Sequence, residues 1–404
     1  VSYKDDILST QPKHLFPLDG DGTDIVNSLG SDDEDVIWDH PPITKDATYS
    51  MTVESVGAAL DLDGSDYIQA VDQVFVAGWF KTEIWDQPIT NIVGDGAAAN
   101  ALSIHMGFGN NVIYEVYSSW DGREFCNQIF GDTPIYPGRV YHFALQHEND
   151  DYGNYTKGWL DGVPQLLSND NIPNGSQRPD VKAPATIGGK DNSVGGLGIH
   201  IVSPIGSWNY WGWWQGDTAS SITTETIRKE FFEKGVLPEY TISSQSDLDN
   251  LAGTEIPNCP CGIEIVSDSD LDLSADGIVF DNLCSLHILW SGPGKLTWTN
   301  TNGSNASISG APWGGEVEII NYHNVKFINL KDNTEIRIFN AGTTEEVAGV
   351  ENASDTWETS VKTGTYDIRV VSLNYRIIEF KNVNIEEDQE FKLEQFYDRN
   401  YKND

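Results

Sequence analysis

The sequence predicts an all-β chain: a large sandwich, then a region of short regular strands, then a small C-terminal β-sandwich. Three observations carry this. Short alternating apolar runs, such as ALDLDGSDYIQAV, VFVAGWFKT, RVYHFALQHE and YTKGWLDGVPQ, are separated by Gly, Asn, Asp and Pro turns. Helical periodicity is confined to two short stretches. From Ile263 the apolar runs IEIV, LDL, IVF, LHILW and KLTWT begin at residues 263, 271, 278, 286 and 295, a step of seven to nine residues. At 404 residues the chain exceeds what one core usually covers. The predicted units are residues 1–240, 241–330 and 331–404.

In the first unit, Asp63-Gly64 and Asp161-Gly162 are dipeptides that close tight hairpins. Gly188-Gly189 is expected to break a strand at a bend. The stretch ITTETIRKEFFEKGVLPE, from Ile222, reads as a helix: Thr223 or Thr224 caps it, Ile227, Phe231 and Phe232 recur on one face, and Gly235 stops it. A second short helix is expected from Ser244 to Gly253. The regular strands of 241–330 fit either a β-solenoid or a sandwich sheet. TEIRIF, TYDIRVV, YRIIEF and EFKLEQF make the last unit a small antiparallel sandwich. The end, QFYDRNYKND, carries Phe396, Tyr397 and Tyr401 beside Arg399. That is too aromatic for a free tail, and it is expected to pack with Arg399 paired to an acid.

Charge excludes some partners. The chain has 24 Lys+Arg against 62 Asp+Glu, a net charge of −38. Residues 1–240 carry −22 and the remainder −16, so the acidity is spread along the chain. Such a surface repels nucleic acid and anionic membranes. No apolar run approaches the ~18 residues of a membrane span. The beginning, VSYKDDILST, lacks a basic-then-apolar signal pattern. Cys126, Cys259, Cys261 and Cys284 are too few for a disulfide framework, and the CPC at 259–261 lacks zinc-site spacing. Reduced thiols or one incidental disulfide are expected.

No catalytic constellation stands out. Glycoside hydrolysis needs two carboxylates flanking one bond. Glu83 and Asp86 would fall on opposite faces of a strand. Glu316 and Glu318 alternate, but in so acidic a chain they read as the solvated face of an edge strand. A nucleophile-elbow pattern is absent. The eight histidines show neither His-x-His nor His-x-x-x-His spacing. The chain is therefore expected to be no enzyme, with no catalytic residue, no metal ligand set and no required cofactor.

SWNYWGWWQG (Ser207–Gly216) concentrates five large rings: Trp208, Tyr210, Trp211, Trp213 and Trp214. Strand alternation puts Trp211 and Trp213 on one face, expected in the sandwich core. Trp208, Tyr210 and Trp214 share the other, expected at a domain or subunit contact. Bends at Gly206 or Gly212 would exchange the two sets. The alternative is an exposed indole platform for a sugar.

Several of these pieces resemble a known family in order. LFPLDGDGTDIVNSLG, ALDLDGSDYIQAV, FVAGWFK, RVYHFALQHE, GWLDGVPQ and ATIGGK are similar to the laminin-G-like branch of the concanavalin A-like jelly rolls. The resemblance implies a jelly-roll sandwich that contacts glycans or proteins. Some of its members hold calcium at the sandwich rim, which makes Asp19, Asp21 and Asp24 of DGDGTD the calcium candidates, against a plain turn with a solvated acidic loop. KLTWTNTNGSNASIS, NTEIRIFNAGTTEEVAGVEN, GTYDIRVVSLNYRIIEFKNVNI and the end QFYDRNYKND resemble a domain at the ends of bacteriophage virion proteins, particularly tail fibres. Together the two resemblances imply a non-enzymatic virion structural protein: a tail fibre, appendage or surface decoration. It would be assembled in the bacterial cytoplasm and exposed on the particle, using its jelly roll for glycan or protein contact during host adhesion. The implied partners are other virion proteins, further copies of the chain (a trimer is one option) and host surface glycans. A purely structural capsid-decorating or tail-stabilising protein is the first alternative, and a polysaccharide-degrading enzyme the second.

Overall fold

The strand Gly206–Gln215 lies at the centre of the first sheet and has neighbours along both edges. The computed structural model describes residues 2–26, 31–32, 36–53, 60–62, 73–82, 90–93, 102–106, 111–120, 123–150, 153–165, 168–170, 186–187 and 206–398. In the first sheet, Gln73–Thr82 pairs along one edge of the central strand, and Val140–Asp150 and Gly153–Leu160 follow outward. On the other edge, Ser50–Val53 covers residues 206–208 and His14–Phe16 covers 211–213. A second eight-stranded sheet includes Arg123–Pro134, Asn111–Trp120, Leu102–Met106 and Thr90–Val93. The two form the expected sandwich. Asp161-Gly162 closes its hairpin as expected, with φ of 49° and 73° at the two turn residues and Leu160 paired to Val163. Asp63-Gly64, Gly188-Gly189, Glu83 and Asp86 lie outside the described residues.

The central strand does not alternate strictly. Asn209 pairs with Trp79 but Gly212 pairs with Ala77, so one extra residue is inserted between them. Tyr210 absorbs it with φ of 48°. This is a β-bulge, and it sits where the neighbour on the opposite edge changes. Asn209 repairs the broken ladder. Its Oδ1 accepts from Ile43 N–H at 3.1 Å, and its Nδ2 donates to the carbonyls of Leu18 at 3.1 Å and Tyr49 at 3.0 Å.

Beyond the strand, a helical stretch packs across the sheet. Thr223 caps it through a hydrogen bond from Thr226 N–H. At Ile227–Glu233 the turns widen to the π form, with Lys234 N–H reaching the Lys229 carbonyl at 3.3 Å. Widening lets adjacent Phe231 and Phe232 both be buried. An N-terminal helix, Tyr3–Ser9, packs beside it. Sequence periodicity did not suggest this helix, although Ser2 and Asp5 form its capping box.

Residues from Tyr240 onward build a parallel β-solenoid, which resolves the choice left open by the strand spacing. Tyr240–Ile242, Ile263–Ile265, Ile288–Trp290 and Ser309–Gly310 stack as one side. Leu271–Asp276, Lys295–Thr301 and the start of Glu316–Asn340 stack as another. Glu255–Ile256 and Val279–Phe280 form the third. Ile263 pairs with Ile288 and Leu271 with Leu296, an offset of 25 residues each. The step of seven to nine residues is therefore one side of a coil, and three sides complete it. The helix expected at Ser244 is present as Gln245–Asp249, with Ser244 as its cap. Ile263, Ile265, Leu273, Ile288, Trp290, Leu296 and Trp298 fill the solenoid core.

The strand Glu316–Asn340 belongs to two units. Through Asn321 it pairs in parallel with the solenoid, and from Tyr322 it pairs antiparallel with Glu346–Lys362. The boundary expected at residues 330/331 thus falls within a continuous strand, because the hand-over of partners occurs earlier. The C-terminal sandwich closes around Val325, Phe327, Ile336, Ile338 and Ile368. Its sheet is antiparallel except for Gln389–Lys392, which runs parallel to residues 325–328. The tail is fastened through its backbone. Phe396 carbonyl accepts from Arg376 N–H, and Asp398 N–H donates to the Asn374 carbonyl. The Tyr397 ring meets Tyr375 edge-on at 5.6 Å. Phe396 and Tyr397 nevertheless stay 69% and 60% exposed, so the ring packing expected there is slight. Arg399 and Tyr401 lie outside the described residues.

Gly212 generates a stability prediction. A Cβ there would lie 2.6 Å from the buried Trp214 ring. Gly212→Ala should destabilise the protein by about 1–3 kcal/mol, the cost of overpacking a full core. A chemical-denaturation midpoint equal to that of the unaltered chain would refute this packing.

Candidate functional site

All five rings of SWNYWGWWQG are buried, the most exposed being Tyr210 at 3%. Directly paired residues share a sheet face. Trp208 pairs with Phe80, and Trp213 with Val76. Phe80 stacks on Tyr141, and Trp211 lies 4.5 Å from Phe143 between ring centroids. Trp208, Trp211 and Trp213 therefore face the sandwich interior together. Tyr210 and Trp214 face the helices, in a cluster with Tyr3, Phe75, Trp79, Phe231 and Phe232. Trp208 was expected at the domain contact, and the bulge at Tyr210 moves it to the other face. No indole of this stretch is exposed for a sugar to stack on.

The helix-side cluster continues into the solenoid through Cys261, Leu286 and Leu289, so these rings mediate a domain contact. Tyr3 Oη accepts from Trp79 Nε1 at 2.8 Å and donates to the Phe231 carbonyl at 2.7 Å. Trp214 Nε1 donates to Thr10 Oγ1 at 2.9 Å. His142 is enclosed by Trp79, Phe231 and Phe232, and burial pushes its pKa from 6.5 to about 3. Arg139 and Asp161 form a buried ion pair at 2.7 Å. Ser285 Oγ donates to Asp161 at 2.8 Å, and Arg139 donates to the Cys259 carbonyl at 3.2 Å, joining sandwich to solenoid. Glu233 is buried against Gly310, where any Cβ would collide with its carboxylate, and pairs with Arg228 at 2.8 Å. Burial raises the Glu233 carboxyl above its usual range.

The acidic candidates have separate tasks. Asp19 Oδ1 accepts from Thr48 and Tyr49 N–H, and Asp21 Oδ1 accepts from Thr23 N–H. Asp24 is fully buried, receiving His14 Nδ1 at 2.8 Å and the N–H groups of Leu15 and Val26. Burial works to raise its carboxyl, but those hydrogen bonds outweigh it and hold it below the usual range. Among the described residues, no group of three His, Cys, Asp or Glu is placed to hold a metal ion. Glu318 is bridged by Lys295 at 2.7 Å and Lys362 at 3.1 Å, so it supports a joint.

A concave site does lie at the edge of the sandwich, where the aromatic strand begins. A cleft of about 440 Å³ is lined by His40, Pro41, Thr52, Lys81, Val140 and Ser207, with Pro42, Ile43, Gly138 and Gly206 completing its wall. Thr52 and Ser207 hydroxyls contact each other at 3.0 Å across its floor. Among the described residues, no carboxylate lines it. The residues come from five separate strands and the segments beside them, which is why sequence spacing did not reveal them. Among the described residues, no helix is long and apolar enough to cross a membrane.

Two predictions follow from the joint. Arg139→Ala should cost about 3–5 kcal/mol, because it strands the Asp161 carboxylate in a buried site. The double variant Arg139→Met with Asp161→Asn should cost less than the sum of its parts, as a double-mutant cycle by denaturation would measure. His142 is neutral when folded, whereas the unfolded chain takes up its proton below about pH 6.5. Stability should therefore fall as pH drops from 6.5 towards 3. In His142→Gln that slope should be shallower by about 1.4 kcal/mol per pH unit; equal slopes for both proteins would refute the burial of a neutral imidazole.

No family model matches the chain, and no curated protein matches it. Solved structures with partial likeness include domain 4 of AbnA, a GH43 extracellular arabinanase from Geobacillus stearothermophilus in complex with arabinotriose. It is 15% identical, with a TM-score of 0.36, over 54% of this chain and 97% of that one. The Ruminococcus gnavus IT-sialidase CBM40 bound to α2,3-sialyllactose is 13% identical, with a TM-score of 0.31, over 44% of this chain and 94% of that one. Trypanosoma rangeli sialidase is 12% identical, with a TM-score of 0.35, over 55% of this chain and about a third of its own length, 32%. These values do not reach the level at which a shared ligand or activity would follow.

Proposed function

We propose that the chain is a non-enzymatic structural protein of a bacteriophage virion, a tail-fibre, appendage or surface-decoration component. In this reading its sandwich contacts an acidic glycan at the host surface. The observation that carries it is the continuity of the three β units. An aromatic cluster and the hydrogen bonds of a buried ion pair to Ser285 and the Cys259 carbonyl fuse sandwich to solenoid, and one strand runs from solenoid into C-terminal sandwich. A chain so joined holds a contact site at a set place relative to its attachment, as an appendage requires. Its partners are other virion proteins and further copies of itself, and the contact needs no cofactor.

The glycan contact is assigned to the Lys81–Ser207 cleft. Lys81 supplies a cationic side chain, the His40 ring and the Thr52 and Ser207 hydroxyls supply hydrogen-bonding groups, and Pro41 and Val140 supply apolar wall. That chemistry suits a carboxylate-bearing sugar, and the size falls within the range of ligand clefts. A shallow contact of this kind is weak singly, and many copies on a particle raise its avidity.

The test has two arms. Antibodies against the chain should label purified particles at their surface. An array presenting the multivalent chain with neutral and carboxylated saccharides should show binding confined to the carboxylated set. Lys81→Glu should weaken that binding about tenfold or more, and added salt should weaken it as well. Unlabelled particles would overturn the virion role. Release of reducing sugar ends would overturn the non-enzymatic one. Undiminished binding by Lys81→Glu would remove the cleft.

A further inference from the structure

Cys259 and Cys284 occupy equivalent places in successive solenoid coils. Each lies four positions before a core strand, at Ile263 and Ile288, and those strands pair in parallel at an offset of 25 residues. The next coil places Asn305 there, four positions before Ser309, the residue that pairs with Ile288. Register therefore superimposes the two cysteines. Their Sγ atoms are 3.1 Å apart. Non-bonded heavy atoms pack at about 3.5–4.0 Å, and a disulfide needs about 2.05 Å. The pair is thus closer than ordinary packing and roughly 1 Å from bonding. Both side chains are buried, at 1% each, and the Ser285 N–H to Cys259 carbonyl hydrogen bond of 3.0 Å holds the two segments together.

We propose that Cys259 and Cys284 are a disulfide-forming pair that closes on oxidation and staples two coils of the solenoid beside the sandwich joint. The oxidant class is a peroxide, small enough to enter when the coil opens locally. One thiolate attacks a peroxide oxygen and becomes a sulfenic acid, releasing hydroxide. The second thiolate attacks that sulfur, the Sγ–Sγ bond forms, and the sulfenic oxygen leaves as hydroxide; the two protons given up by the thiols convert both hydroxides to water. Overall, two thiols and one hydrogen peroxide give one disulfide and two waters. Cys284 is the better first nucleophile. A hydrogen bond from Cys259 lowers its thiol against the opposing effect of burial, and the Arg139 charge adds to this. Cys261 is also buried, but it lies two residues on and burial pushes its thiol well up. It is the internal control.

The test uses the full chain treated with hydrogen peroxide. The thiols are then blocked under denaturing conditions, and peptides are mapped without reduction. The expected result is a cross-linked peptide joining Cys259 to Cys284, loss of two blockable thiols and a melting temperature raised by roughly 5–10 °C. A thiol reductant should reverse the change. Cys261→Ser should form the same bond and show the same shift. Cys284→Ser should show neither, and if it fails to fold the Cys261→Ser map still decides. A cross-link through Cys261 or Cys126, or further oxidation of Cys259 and Cys284 to sulfinic acids without a bond, would overturn the proposal.

Discussion

One inserted residue in the central strand, at Asn209–Tyr210, decides which way its aromatic rings point. With strict alternation, Trp208 would share a face with Tyr210 and Trp214. With the bulge, the sandwich interior receives three indoles, and the helix side receives Tyr210, Trp214 and the gap at Gly212. That gap is filled: the Trp214 ring lies over Gly212, much as the Trp211 ring lies over Gly78. The left-handed conformation of Tyr210 costs about 1–2 kcal/mol. The buried amide of Asn209 offsets it by supplying the ladder hydrogen bonds lost where two neighbouring strands exchange. The helices, and through them the solenoid, pack on the face so created.

The joint that follows is unlike a typical interdomain contact. Contacts within a chain are generally polar and permit motion unless they are large and apolar. Here one continuous cluster runs from Phe75 and Trp214 through Phe231 to Cys261, Leu286 and Leu289. The Asp161 carboxylate beside it is bonded on both oxygens. Asp161 receives Arg139, Ser285 and the His142 N–H while holding a left-handed turn. Such a network contributes less to net stability than to specifying one docking geometry, because a misaligned pair leaves a buried charge uncompensated. The aromatic residues that suggested a sugar platform are thus consumed in building a rigid connection.

Much of the fold was legible in the sequence because its signals are local. Asp161-Gly162 announces a hairpin, Thr223 and Ser244 announce helix starts, and the apolar runs announce strands. The solenoid was half legible. The spacing of its strands was visible, but whether successive runs pair with each other or with the coil beyond depends on contacts 21–25 residues away. The bulge was not legible, since Asn209-Tyr210 carries no turn signature and its cause is an exchange of neighbours from distant segments. The cleft was hidden for the same reason. His40, Thr52, Lys81 and Ser207 are ordinary residues made neighbours by sheet order. The Tyr3–Ser9 helix was missed although its Ser-x-x-Asp capping box and the Tyr3/Ile7 spacing were present, because seven residues are too few for periodicity to stand out.

In so acidic a chain, the placement of cations reveals how the units are held. Lys45–Glu264 crosses from sandwich to solenoid, the Arg139–Asp161 pair within the sandwich reaches the solenoid through Ser285 and the Cys259 carbonyl, and Arg228–Glu233 secures the helix lying against the solenoid at Gly310. Lys295 and Lys362 meet at Glu318, one from the solenoid and one from the C-terminal sandwich. The two joints differ physically. Asp161, Glu233 and Glu264 are buried or nearly so, and salt screens them little. The Glu318 bridges are substantially exposed, so water and salt screen them strongly. The second joint does not depend on them, because Glu316–Asn340 crosses it as one strand with backbone partners on both sides of the hand-over. Side-chain chemistry carries the joint where the chain changes fold through a helix. Backbone hydrogen bonding carries the one where it does not leave the β conformation.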